Sequence, residues 1–292
     1  MSFSLFLPQM RMTHDAITER ALAAEAAGFE GMAFMDHMAP PLAFEQPMWD
    51  AITTATWVLA KTTTLQAGHL VLCDSFRHPA VLARETLSLD HASGGRFELG
   101  IGWGSVPTEF PIFGIGSDKP RDRVRRLAET LDICKALWSG EVVDYEGEFF
   151  TLKGAQIAPR PTRHIPITIG GVGPKTLEQV RKHADWWNLP IHEVHRIGEL
   201  REQAGDAKVS IQTMIALVPD ESARDEVTAT ATKRFGAMGM RPTIGTANEL
   251  ADHFAALRDK GVERFYCWFA DFATPKTLAG FAEVISNSSL AG

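Results

Sequence analysis

Four short stretches of this chain carry residue types that could do chemistry. Gly170-Gly171-Val172-Gly173 follows the apolar run Ile165–Ile169 and leads into Pro174-Lys175-Thr176. Three glycines in four residues let a backbone approach a ligand closely. A helix opened by proline offers its first free N–H groups and its positive dipole end to a phosphate. The stretch reads as an anion cradle, with a glycine-rich turn holding no ligand as the alternative. Asp36-His37 follows the apolar Gly31–Met35. An imidazole there could give a proton to, or take one from, a ring or carbonyl group, with Asp36 fixing its orientation and charge state; the alternative is a polar residue capping a strand end. Leu70–Arg77 and Gly102-Trp103-Gly104-Ser105 are the other two stretches.

Neighbouring patterns exclude several chemistries. Gly171-Val172-Gly173-Pro174-Lys175-Thr176 is no P-loop, because Pro174 stands where the motif needs a glycine before the lysine. Gly100-Ile101-Gly102-Trp103-Gly104-Ser105 lacks the last glycine of a dinucleotide fingerprint and the acid about twenty residues on. His192-Glu193-Val194-His195 is one residue short of zincin spacing, and no metal is assigned. Arg121, Arg123, Arg125 and Arg126 make a basic start to a helix, read either as a solvated face or as a contact for an anionic ligand tail. Trp49, Trp57, Trp103, Trp186 and Trp187 read as core or pocket wall.

The elements that must position these stretches alternate. Phe3–Leu7, Gly31–Met35, Leu65–Leu72, Phe97–Ile101, Ile165–Ile169, Trp186–Leu189, Val209–Val218 and Arg264–Phe269 are predicted strands. Helical patterns run between them: Thr13 caps a face of Ile17, Ala21, Ala24 and Ala27, Pro79 opens a helix that Gly94-Gly95 closes, and others lie near 49–61, 122–138, 174–183, 194–203, 222–235 and 247–260, with a last from Pro275. Val142–Phe150 breaks the rhythm as a predicted hairpin around a Glu-Gly turn. Eight strands alternating with helices imply a parallel α/β sheet closed into a (β/α)8 TIM barrel, one domain over residues 1–292 with a hairpin excursion after the fourth βα unit. An open doubly wound sheet is the alternative. In a barrel the loops after the strands build the active site, and all four stretches are such loops.

Composition narrows the partners. The 292 residues are 45% hydrophobic and 22% charged, an ordinary packed globule long enough to need no staple. A net charge of -7 argues against nucleic acid and anionic membranes, and no run is long enough to span a bilayer. Three cysteines, Cys73, Cys134 and Cys267, at no motif spacing fit a reducing cytoplasm, and the N-terminus lacks the pattern of a secretory signal. A small-molecule substrate is expected, and a homodimer is compatible with the chain.

Phe76–Arg84, Leu89–Gly102, Ile169–Thr176 with Ala184–Asn188, and Ile244-Gly245-Thr246 together resemble the bacterial luciferase-like monooxygenase superfamily, in order and over nearly the whole chain. The resemblance implies a (β/α)8 barrel that binds FMN or the deazaflavin coenzyme F420, with the ring in the barrel mouth and the phosphate near Gly102–Ser105 and Gly170–Gly173. Asp36-His37 looks like the F420-dependent branch, where the matching histidine meets the reactive edge of the ring. Those relatives carry a non-proline cis peptide behind the ring, which would fall at Leu70-Val71. The implied function is hydride transfer between F420 and an organic substrate. The alternatives are an FMN-dependent monooxygenase and a non-catalytic flavin-binding protein. F420 adds negative charge that Arg77, Arg121 and Arg123 could meet at the rim. Two departures make a sugar phosphate a poor expectation: Pro40-Pro41 stands where sugar-phosphate dehydrogenases of the branch have tryptophan, and Ser105 where they have an acid. Glu109 lies further along that loop, within reach of the pocket.

Overall fold

In a computed structural model that describes residues 1–116 and 119–290, the chain opens with β1 (Ser2–Phe6), α1 (His14–Ala26), β2 (Gly31–Phe34) and α2 (Ala51–Lys61). The third strand is broken into β3 (Gln66–His69) and β4 (Leu72–Cys73), followed by α3 (Pro79–Ser93) and β5 (Leu99–Gly102). The short α4 (Glu109–Phe113), the long α5 (Pro120–Trp138) and the hairpin β6 (Val143–Glu146) and β7 (Thr151–Ala155) come next. The remainder is β8 (Ile167–Gly170), α6 (Pro174–His183), β9 (Trp186–Leu189), α7 (Ile197–Ala204), β10 (Lys208–Leu217), α8 (Arg224–Gly236), β11 (Thr243–Gly245), α9 (Ala247–Arg258), β12 (Arg264–Phe269) and α10 (Pro275–Leu290).

Parallel pairing runs β3-β2-β1-β12-β10-β9-β8-β5-β4, and a parallel bridge between Ala67 and Phe97 joins the two ends of that row. With β3 and β4 as one interrupted strand, this is an eight-stranded (β/α)8 barrel. β11 is an addition that pairs only with β10, and too short an apolar pattern to be foreseen.

Local chemistry sets the helix ends. Thr13 accepts the Ala16 N–H, Pro79 takes the first turn of α3, and Gly94 ends it in the left-handed region at φ 65°. Two sequence expectations shift. The second hairpin strand starts at Thr151, because Glu129 accepts the N–H groups of Glu148, Phe149 and Phe150 and holds that stretch as a turn. The expected helix over 194–203 is a 3₁₀ turn over Ile191–Arg196 and then α7.

The main core lies between sheet and helices, around Ile17, Leu82, Leu131, Val180 and Phe254. The bottom of the barrel is plugged by charge. Arg264 donates to Glu98 at 2.6 Å and stacks 3.9 Å from the Trp186 ring, so the ion pair is neutralised inside the sheet. The open end is therefore the opposite one, above the C-terminal ends of the strands. No helix among the described residues is long and apolar enough to cross a membrane.

Candidate active site

The mouth holds a cavity of about 420 Å3 lined from six strands: Asp36 and His37 beyond β2, Leu70–Cys73 from the third strand, Gly102–Ser105 and Glu109 beyond β5, Gly170 and Gly171 at β8, Asn188 and Pro190 at β9, and Gln212 on β10. Ten of the twelve sequence-predicted site residues line it. The other two do not: Val172 packs against the core, and the exposed Gly173 serves as the N-cap of α6.

The third strand is interrupted at Leu70-Val71, whose peptide is cis, at the position the resemblance indicates. β5 fits against this bulge through missing side chains. A Cβ on Gly100 would come within 1.8 Å of the His69 carbonyl oxygen, and one on Gly102 within 2.7 Å of the Val71 side chain. Gly100 and Gly102 within β5 are thus required by packing, and Leu70 and Val71 line the cavity beside them.

His37 is oriented by a residue seventy-two positions away. Its Nδ1 lies 2.9 Å from Glu109 Oε2, while Glu109 Oε1 accepts the Met38 N–H at 2.7 Å. With Nδ1 bound to the carboxylate, Nε2 is the ring nitrogen left for a ligand: a lone pair when the ring is neutral, a proton when it is charged. Asp36 does not do this work, contrary to the sequence expectation. Its carboxylate accepts the Cys73 N–H at 2.8 Å and Arg77 Nη1 at 2.6 Å, so it ties the second strand to the third. The reason is that the Asp36 carboxylate is already engaged by Cys73 and Arg77 on the third strand and the turn after it, while Glu109 reaches His37 from the loop beyond β5.

The arginines are mostly committed as well. Arg77 also reaches Asp50, at 3.3 Å. Arg123 is 1% exposed, its guanidinium 4.4 Å from the Phe110 ring centroid and 5.1 Å from that of Trp103. Arg126 holds the Asp74 carboxylate and the Arg77 carbonyl, and Arg125 pairs with Asp122 and Glu148. Arg121 alone of this group is an exposed side chain at the helix start without such a pairing among the described residues. Neither a solvated face nor a ligand contact describes Arg123 and Arg126; they pin α5 to the loops beneath it.

Cys73 lines the cavity, and burial pushes its thiol up to about 12, so it sits there neutral rather than as a nucleophile. Gly171 has φ +124°, where a side chain is strained, and its carbonyl accepts the Trp187 indole N–H at 2.8 Å. No side chain caps the N-terminus of α6, which leaves its first-turn N–H groups open beside this glycine. Sequence reasoning missed Asn188, Gln212 and the grip of Glu109 on His37. Only the placement of Glu109 in a strand-four loop hinted at the last. Among the described residues no cluster of three potential metal ligands occurs.

With this geometry in hand, the chain matches the luciferase-like monooxygenase family over residues 1–268 and belongs to it. The F420-dependent glucose-6-phosphate dehydrogenase of Kineococcus radiotolerans is 32% identical over 170 residues, covering 58% of this chain and 50% of that protein. The match therefore spans about half the length of that curated relative. Among solved structures, an F420-dependent secondary alcohol dehydrogenase superimposes with TM-score 0.80 at 20% identity, covering 98% of each chain. A riboflavin lyase does so with TM-score 0.84 at 16% identity, covering 100% and 92%. These likenesses establish the barrel fold.

Proposed function

We propose that the chain is a coenzyme F420-dependent oxidoreductase, its barrel domain spanning residues 1–292, acting on a small organic molecule. The observation that carries this reading is His37, held by Glu109 with Nε2 free, in one cavity with the Leu70–Val71 bulge and the open glycine turn Gly170-Gly171. A ring cofactor fits these residues. Leu70 and Val71 line the cavity without charge, and Gly170–Gly173 with the uncapped start of α6 suits a phosphate. Gly102, Trp103, Gly104 and Ser105 would border the cofactor on the β5 side. Curated relatives named as F420-dependent support the choice of cofactor.

When bound, the deazaflavin supplies a two-electron hydride donor or acceptor. The protein's part is positional and protonic. Nε2 of His37 holds or moves the proton that accompanies the hydride, and Glu109 keeps the imidazole in one tautomer. Asp36 acts at one remove, through the Arg77 and Cys73 contacts that set the strand ends. Reduced, unpaired Cys73, Cys134 and Cys267 suit a cytoplasmic enzyme, working as a monomer or a homodimer.

One observation favours a second reading, in which the ring cofactor is FMN and the reaction an oxygenation. Arg77 and Arg123, which F420's extra negative charge could have used, are turned inward, leaving Arg121 from that set at the surface. Parallel calorimetric titration with F420 and FMN decides between them. Micromolar or tighter F420 binding that weakens with salt is expected; tight FMN binding with no F420 binding reverses the assignment.

A further inference from the structure

We propose that the substrate of this site is an uncharged molecule with an apolar body and a single carbonyl or carbinol group, taken up by a hydrocarbon rim built from residues 38–49 and α4. The inference rests on the hydride-transfer reading above and names the substrate class it lacks.

Charge is the first ground. No Lys or Arg is among the residues lining the 420 Å3 cavity; its ionisable side chains are Asp36, His37, Cys73 and Glu109. The segments that frame it, 38–49 and 105–116, contain no Lys or Arg either, and each contains one glutamate, Glu45 and Glu109. A second cavity of about 390 Å3 shares Asp36 and His37 with the first, and its one arginine, Arg77, already serves Asp36 and Asp50. With the glycine turn reserved for the cofactor phosphate, an anionic substrate finds no cation here and meets carboxylates instead. Like charge in a partly dry site costs more than in water.

The second ground is the apolar surface. Of the twelve large apolar side chains exposed among the described residues, six lie on these two segments: Met38, Leu42, Phe44, Trp49, Ile112 and Phe113. Such a concentration on a monomer's surface marks a binding site rather than scatter. Phe44 and Phe113 stack with centroids 6.0 Å apart, joining the loop after β2 to α4. Glu109 joins the same two segments from within, through His37 and the Met38 N–H. The rim is therefore continuous with the proton-handling group. In the side cavity Met38, Met48, Trp49 and Phe76 supply the apolar half of the lining, opposite Asp36, His37, Asp50 and Arg77, and the Trp49 indole N–H is spent on the Met12 carbonyl. Thioether side chains adapt to irregular hydrocarbon shapes.

The arrangement gives a balanced reaction. In the oxidising direction a bound deazaflavin would supply the acceptor for the carbinol C–H bond's electron pair, as hydride. The hydroxyl proton passes to His37 Nε2, and the C=O double bond forms. In the reducing direction each step reverses.

The test is equilibrium binding of decan-2-one and of glucose 6-phosphate to the purified chain, alone and loaded with F420, with F420 affinity measured separately. Decan-2-one is expected to bind at least tenfold more tightly than the sugar phosphate. Phe44→Ala and Phe113→Ala should each weaken decan-2-one about tenfold and leave F420 affinity and the melting temperature unchanged, since both rings are exposed. Tighter binding of glucose 6-phosphate, or unaltered ketone affinity in both variants, overturns the inference. Sedimentation that turns a wild-type dimer into a monomer on Phe44→Ala also overturns it, by assigning the rim to a second copy of the chain. Loss of F420 binding in the wild type, with the ketone still bound, strikes the hydride-transfer reading and not the choice of substrate class.

Discussion

Of two cavities that open on different sides of the C-terminal ends of the strands, the larger is not the one that looks built for chemistry. The larger, about 610 Å3, lies among β10, β12, α8, α9 and α10; the mouth cavity is about 420 Å3. Both border the start of a helix. At the larger, the start of α9 is closed on itself: Thr246 and Glu249 form a reciprocal capping box. Asp271 is likewise used up on Thr274, Thr277 and the Ala273 N–H at the start of α10. At the mouth, the start of α6 has no side-chain cap, and His37 keeps a ring nitrogen unused. A large cavity whose helix starts are already capped by the chain's own side chains offers a ligand no open N–H groups there. Unspent donors and acceptors, gathered from distant parts of the chain, mark the working site.

That contrast can be broken most sharply at His37. His37→Ala should lower turnover by roughly 10²–10⁴-fold while the fold persists; steady-state rates with F420 and an unchanged circular dichroism spectrum check both halves. Arg77→Met should act on stability instead, by about 3–5 kcal/mol, because it strands the buried Asp36 carboxylate, and chemical denaturation measures this.

A pH series sharpens the same boundary. Burial pushes the His69 imidazole, just before the bulge, down to about 3, so the folded protein refuses a proton that the unfolded chain accepts below about 6.5. Its contribution is present above pH 6.5 and is lost as pH falls toward 3, roughly 2–3 kcal/mol by pH 4.5. His183, pushed down to about 4 chiefly by burial, adds in the same direction. Denaturation midpoints of His69→Asn should depend on pH less steeply than those of the wild type.

The smallest effects separate the two helix starts. Gly171→Val should weaken cofactor binding at least tenfold, whereas Thr246→Ala should cost about 1 kcal/mol of stability and nothing in cofactor affinity. If the two variants behaved alike by calorimetry, the distinction between the cavities would fail.

The sequence carries the barrel well because its cues are local. Apolar runs, Thr13, Pro79, Gly94 and Pro174 each speak for their own segment, and the structure follows them. It carries the site unevenly for the same reason. The glycine turn is legible since its backbone freedom is a property of the residues themselves. The partner of His37 is not, because Glu109 is brought to it by two loops that meet only when the barrel closes. Asp36 next to His37 looks like its natural partner in a linear reading, yet Cys73 and Arg77 take the Asp36 carboxylate. The arginines of α5 mislead in the same way: charge along a helix says exposure until Asp74, Trp103 and Phe110 arrive from elsewhere.

The fit of Gly100 under the His69 carbonyl bears on how this protein could change over time. With 1.8 Å available where a methyl group would stand, even alanine at this position drives two strands apart. Phe44, 54% exposed, can become almost anything without moving a neighbouring strand. Heritable variation is thus barred where β5 packs against the third strand and admitted at the outer rim. A lineage starting from this chain can vary its outer rim step by step while inheriting the packing of its barrel unaltered.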